Sequence, residues 1–317
     1  MTRRGLVLGA GGVLGAAWTI GALDAVQEEL GWDPREAEVL IGTSAGSVLV
    51  SALACGVGVE QLRNHQQGVV APGDPAIDFD PDTGSGGALP PLPKPFVGST
   101  RGVLSTALHP WRVTPMSALS LALPQGRGSI EPVGQLVDAF VPAGEWAPHP
   151  ATWVVALDHV SGRRTVFGRE GAPRAALRDA VMASCSIPGW YAPVRIGGRR
   201  YVDGGACSPT SLDLLAREGL DEVVVLSPMT SLDYDAPSSV TARLERRFRR
   251  IVTKRLVGEV KRVAAAGTRV VLLGPGAEDL EGIGANMMDP KRREEVLATS
   301  LRTSRAALRA QALAAAV

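Results

Sequence analysis

Apolar positions along this chain come alternately as short unbroken runs and at helical spacing. Residues 5–8 form a run that reads as a buried strand, and residues 14–30 space their apolar side chains as a helix does. The pair repeats, with strand at 38–41 and helix at 45–55. Such alternation predicts a parallel sheet with helical crossovers. Over 68–128 the pattern breaks. Pro and Gly are dense there, and only a helix near 115–123 stands out. This stretch reads as an insertion over the sheet edge, either a lid or a surface excursion with its own packing. Alternation then resumes with a helix at 130–141, a hairpin of strands 152–157 and 164–167, and a helix at 175–184. A second hairpin, 194–196 with 200–202, turns at Gly197-Gly198. Helix 212–218, strand 222–226, a long helix 240–266 and strand 269–273 follow. The last helix, 290–315, is opened by Asp289 as cap and Pro290 in the first turn.

Met1-Thr2-Arg3-Arg4 and the apolar residues after it have the outline of a signal peptide. Glycines at 9, 11, 12 and 15 suit a loop between a strand and a helix better than a signal helix. No other stretch is apolar and long enough to span a bilayer. The 317 residues are 45% apolar, ample for a core in one large α/β domain or two small ones. A net charge of +1 gives no global pull towards nucleic acid or anionic membrane. Cys55, Cys185 and Cys207 lie far apart without metal-ligand spacing, which fits reduced thiols in a cytoplasmic protein. The four histidines form no cluster that would suggest zinc.

Chemistry enters at Gly42-Thr43-Ser44-Ala45-Gly46. A strand, Gly-x-Ser-x-Gly and a helix in succession are the sequence form of a nucleophile elbow, with Ser44 exposed on a tight turn. The bland reading of Ser44 is a helix N-cap. Gly42 and Gly46 would be needed because the turn crowds its neighbours. Donors for a developing oxyanion have two sources: the N–H of Ala45, and the loop Gly9-Ala10-Gly11-Gly12-Val13-Leu14-Gly15. That loop is also a variant of a dinucleotide fingerprint. Position 14 is Leu, and the second strand ends without the acidic residue that a ribose requires.

A serine nucleophile needs a base. His65, His109, His149 and His159 all precede residue 160, and none has an acidic partner in the order of an α/β-hydrolase triad. Only His159, after a strand end, suits catalysis, and a surface or loop role is the better reading of each. Asp203, in Tyr201-Val202-Asp203-Gly204-Gly205, ends a strand at a double-glycine turn, where parallel-sheet folds present functional groups. Asp-Gly is also an ordinary turn dipeptide.

Taken together the segments resemble the patatin-like phospholipase family. The resemblance rests on the glycine loop 9–15, the elbow Gly42 to Gly46, Asp203-Gly204-Gly205, and Ala183-Ser184-Cys185-Ser186-Ile187-Pro188 leading to Ala192-Pro193-Val194. It covers roughly 5–55 and 175–230. It implies one three-layer α/β/α domain over 1–317 with a mostly parallel sheet, the insertion at 68–128 and C-terminal helices at 240–266 and 290–315. It also implies a lipid or carboxylic-ester acyl hydrolase with a Ser44–Asp203 dyad. Gly11, Gly12, Val13 and Ala45 would bind the oxyanion, and Gly9, Gly15, Gly42, Gly46, Gly204 and Gly205 would support the motifs. No metal or organic cofactor is implied. Two departures stand out: Leu14 replaces a basic residue common in the family, and Cys207-Ser208-Pro209 replaces an Asn-Pro element. They leave room for a catalytically silent protein that binds acyl chains or a partner.

The helix from 240 is strongly basic: Arg243, Arg246, Arg247, Arg249, Arg250, Lys254, Arg255, Lys261 and Arg262 oppose Glu245 and Glu259. Leu244, Phe248, Ile251, Leu256, Val260 and Val263 recur near helical spacing. A solvated basic face over a core-packed stripe is the favoured reading, with peripheral membrane contact over 240–263 as the rival. The last helix reads as a packing helix with a wet basic side, and Met287-Met288 as gap-fillers.

Overall fold

The computed structural model describes residues 2–71, 89, 91–96, 98–109, 111, 113–233, 235, 237 and 239–315. Part of the proline-rich centre of the insertion lies outside the described residues. The strands are β1 Arg4–Leu8, β2 Val39–Thr43, β3 Thr152–Asp158, β4 Arg164–Phe167, β5 Val194–Ile196, β6 Arg199–Asp203, β7 Glu222–Leu226 and β8 Arg269–Leu273. The α-helices are α1 Gly12–Leu30, α2 Ala45–Ala54, α3 Val59–Gln66, α4 Thr100–Leu108, α5 Pro115–Ala122, α6 Glu131–Asp138, α7 Leu177–Cys185, α8 Val240–Ala265, α9 Ala277–Ile283 and α10 Arg293–Ala315.

Strands β3, β2, β1, β7 and β8 run parallel in that order, while β4, β6 and β5 are antiparallel additions beside β3. Alternate residues of each strand feed opposite cores. Leu6, Leu8, Leu40, Val154, Ala156, Val224 and Leu226 pack with α1, α2, α7 and α10. Val7, Val39, Ile41, Trp153, Val155, Val223 and Val225 pack with Leu256 and Val263 of α8 and with Leu212 and Leu215. This makes three layers, α/β/α, around a mostly parallel sheet.

Four expectations need correcting. Helix α1 begins at Gly12, so three of the seven glycine-loop residues precede it and four belong to its first turn. Residues Leu212–Arg217 form a 3₁₀ helix instead of an α-helix. The last helix opens with a 3₁₀ turn at Pro290–Arg292, capped by Asp289, before α10 begins. Finally, α3, α4 and α9 have no counterpart in the sequence pattern. Helix α10 packs across α1 as expected: the Ser300 hydroxyl donates to the Trp18 carbonyl at 2.7 Å beside Gly21. Its basic side is tied down by Arg305, 2.6 Å from the buried Asp24 carboxylate.

Candidate active site

Ser44 joins β2 to α2 with φ +53° and ψ −124°, a conformation that L residues rarely adopt and that costs on the order of 1–3 kcal/mol. The surroundings hold it there. A Cβ on Gly42 would lie 2.5 Å from the Gly46 carbonyl and from Ser47 Cα, and one on Gly46 would run into the Leu8 carbonyl. Only glycine lets strand and helix approach so closely. The Ser44 amide donates to Ser184 Oγ at 2.8 Å, and Ser184 Oγ donates to the Val155 carbonyl at 2.6 Å. The Ser47 hydroxyl caps the Ser44 carbonyl at 2.6 Å. Ser44 is buried, as is the Cys185 thiol beside it, whose pKa is pushed up to about 12 by burial, so that it stays protonated.

Sheet register brings Asp203 to the same point. Both β2 and β4 pair with Val154 and Val155, so they occupy opposite edges of β3. Both β4 and β6 pair with Ala156, so β6 lies on the β2 edge. Hence β2 and β6 share one edge of β3 and meet end to end, Thr43 opposite Val155 and Asp203 opposite Ala156. Asp203 does end a strand, but an antiparallel one; its place comes from this head-on meeting and not from the parallel sheet's carboxyl edge. Asp203 Oδ1 accepts from the Gly205 amide at 2.7 Å. Burial raises its pKa from 3.8 to about 6, against the Ser44 hydroxyl and the Gly205 amide, which favour the carboxylate. A Cβ on Gly205 would lie 3.2 Å from Ala10 Cβ, so the turn after Asp203 packs on the glycine loop.

The loop's amides divide into two sets. Gly9 N–H donates to the Leu226 carbonyl at 2.9 Å, Ala10 to Pro209 at 2.8 Å, Leu14 to Met287 at 3.0 Å and Gly15 to Gly11 at 2.9 Å. The N–H groups of Gly11, Gly12 and Val13 have no acceptor among the described residues. Gly12 takes φ +59°, which a side chain would resist. Ala45, first residue of α2, likewise has no intrahelical acceptor. Leu14 points into the core, fully buried. The chain Cys207-Ser208-Pro209 is anchored through the buried Glu259, which accepts from Ser208 Oγ at 2.6 Å and Thr210 Oγ1 at 2.8 Å.

Two cavities meet at Gly12, Ser44, Ile187 and Met288. One, of about 130 Å³, runs between α1, α2 and α6 and is lined by apolar side chains including Ile20, Leu49, Val133, Phe140 and Tyr191. The other is a wider cleft of about 630 Å³ that holds Asp203 and is walled by Met116 and Leu123 of the insertion and by Phe248 and Ile251 of α8. Met287 and Met288 both line this cleft. Sequence reasoning missed Ser184 and the lining of the narrower cavity; Ser184 lay within the 183–188 stretch, but nothing in the sequence marks it as the acceptor for an amide 140 residues away.

The histidines stay out of this constellation. His159 is 2% exposed, not a surface residue, and its backbone N–H donates to the Arg200 carbonyl at 2.8 Å. Burial drives its pKa down to about 4. His65 lies on α3, not in a loop, and lines the narrower cavity. His149 Nε2 is 2.7 Å from the Ala37 carbonyl. Cys55, Cys185 and Cys207 are unpaired, and among the described residues no group of His, Cys, Asp and Glu could hold a metal. No helix of the described residues is long and apolar enough to cross a membrane.

Helix α8 inverts its expected orientation at one end. Leu244, Phe248 and Ile251 are 70%, 41% and 59% exposed, while Arg246 and Arg249 are 4% and 2% exposed. The buried arginines are satisfied by Glu245, by Asp235 at 2.7 Å and by the Pro228 carbonyl at 2.6 Å. Pro228 in turn abuts Gly11 and Gly15, so these ion pairs support the glycine loop from outside.

No curated protein matches the chain. Among solved structures, VipD from Legionella pneumophila is similar, with 14% identity and a TM-score of 0.49 over 98% of this chain and 67% of that one. The family model described as patatin-like phospholipase matches residues 6–216, a span holding the glycine loop, the elbow and the Asp-Gly-Gly turn. The chain therefore belongs to the patatin-like phospholipase family.

Proposed function

We propose that the protein is a serine acyl hydrolase acting on lipid or other carboxylic esters through Ser44 and Asp203. The observation that carries this reading is the end-to-end meeting of β2 and β6, which sets a strained serine beside a buried carboxylate of raised pKa. With a pKa of about 6, Asp203 is about nine-tenths ionised at pH 7 yet a better base than an ordinary aspartate. Ser44 Oγ attacks the ester carbonyl as its proton passes to Asp203. The oxyanion takes hydrogen bonds from the free amides of Gly11, Gly12 and Val13 and from Ala45, each such donor typically worth about 10²–10³ in rate. The tetrahedral species expels the alcohol, which leaves with the proton held by Asp203. Water then attacks the acyl-enzyme, again deprotonated by Asp203, and frees the acid and Ser44.

The narrower apolar cavity suits the acyl chain and the wider cleft the alcohol part. These steps call on no metal or organic cofactor and no nucleic acid, and the three free thiols suit a reducing cytoplasm. A fluorophosphonate probe tests the reading: labelling lost in Ser44→Ala and ester hydrolysis lost in Asp203→Asn support it. A folded protein that takes no label would be the silent acyl-binding alternative. A fatty-acid-release screen across phospholipids, lysophospholipids, glycerides and small esters then assigns the substrate.

A further inference from the structure

Helix α8 hides two arginines and shows leucine, phenylalanine and isoleucine to solvent, an arrangement that the stability of the isolated fold does not require. Val240, Leu244, Phe248 and Ile251 follow one another three or four residues apart and form one exposed stripe. Arg243, Arg247, Arg250 and Lys254 run beside it at the same spacing and are exposed too. Both acids of the helix are turned away: Glu245 pairs with Arg246 and Arg249, and Glu259 is buried against Ser208 and Thr210. Among the described residues of α8 the outer face thus presents an apolar stripe with a basic row beside it.

The stripe also leads to the site. Phe248 and Ile251 line the wide cleft that holds Ser44 and Asp203, with Leu244 and Val240 one and two turns further out. On the facing wall, Leu123 lines the cleft and Leu119 is exposed beside it.

We infer that the outer face of α8 docks the protein on an anionic lipid surface, apolar stripe inserted and basic row on the headgroups, so that the cleft opens against the bilayer. This rests on the reading of Ser44 as a lipid hydrolase nucleophile for its purpose, but not for its test. A protein partner recognised by the same face would need acidic groups spaced along the whole basic row. A bilayer with anionic headgroups supplies charge everywhere along it and accepts the apolar stripe directly.

The test uses the full chain as Ser44→Ala, so that binding is read without hydrolysis, and vesicles of phosphatidylcholine alone or with 30% phosphatidylglycerol. Co-sedimentation at 0.1 M salt is expected to favour the anionic vesicles at least tenfold and to weaken at 0.5 M. Arg247→Ala with Lys254→Ala should weaken binding roughly 25-fold, at about fivefold per charge removed. Leu244→Asp should weaken it about tenfold or more. In the Ser44 background, Leu244→Asp should leave hydrolysis of a short soluble ester unchanged, which separates docking from catalysis. Equal binding to both vesicle types, or binding untouched by these variants, overturns the inference. So does self-association in solution abolished by Leu244→Asp without vesicle binding, which assigns the stripe to a second copy of the chain. Vesicle binding that follows the variants in a protein without esterase activity upholds the surface and refutes the enzyme.

Discussion

The pKa of Asp203 gives the sharpest prediction, because the same burial that would suit it to the proposed role of base also burdens the fold. If Asp203 must be ionised to accept the Ser44 proton, kcat/KM should follow its titration near pH 6. At pH 5 about one-tenth of the carboxyl is ionised and at pH 7 about nine-tenths, so the rate should fall roughly tenfold between them. A carboxyl at 3.8 would leave the rate nearly flat over that interval. Stability runs the other way. A folded-state pKa above the unfolded one contributes stability that is complete below about pH 4 and is lost as pH rises through about 6. The gap of roughly two pH units corresponds to about 3 kcal/mol against the fold at neutral pH. Asp203→Asn should therefore abolish hydrolysis while raising Tm at pH 7.5, by up to roughly 6–12 °C at about 2–4 °C per kcal/mol, and should give no such gain at pH 4. The assay is hydrolysis of a soluble short-chain ester from pH 4.5 to 8, with circular dichroism at each pH to show the protein folded. A flat rate profile in folded protein, or an Asn variant whose Tm shifts equally at both pH values, would refute the reasoning.

Other outcomes follow from packing. Ser184→Ala strips the acceptor from the Ser44 amide and the donor from the Val155 carbonyl, and urea unfolding should show a loss of about 1–3 kcal/mol. Gly46→Ala forces a methyl onto the Leu8 carbonyl, so soluble yield should collapse or Tm fall by an amount matching at least 1–3 kcal/mol. Glu259→Ala leaves the hydroxyls of Ser208 and Thr210 without their acceptor, and denaturation should report a loss of about 1–3 kcal/mol. Ala16→Trp fills the narrower cavity, and the ratio of long-chain to butyrate ester hydrolysis should drop at least tenfold with little change on butyrate.

The central strands were legible because runs such as 223–226 are apolar throughout, as a strand covered on both faces must be. The elbow and the Asp-Gly-Gly turn were legible for another reason: Gly42, Gly46 and Gly204 are each forced by backbone atoms that a Cβ would strike. Helix α3 was not, since Val59 and Leu62 are its only buried residues and one turn of contact makes no period. The direction of β6 could not be read, because it depends on a third partner finding room on an edge of β3 that β2 leaves half used. Periodicity located α8 but not its inward side. It cannot register that Arg246 and Arg249 are tolerated inside once Glu245, Asp235 and the Pro228 carbonyl are in place.

The shared edge of β3 also times the birth of the site. Ser44 leaves the ribosome more than a hundred residues before Ala156, and Ala156 well before Asp203. A nascent chain that stops short of β6 carries the elbow serine with neither Asp203 nor the turn that braces the glycine loop. On the proposed reading Ser44 is thus disarmed by incompleteness until β6 has been made, and the centre can exist only in a chain whose sheet has already closed over β3.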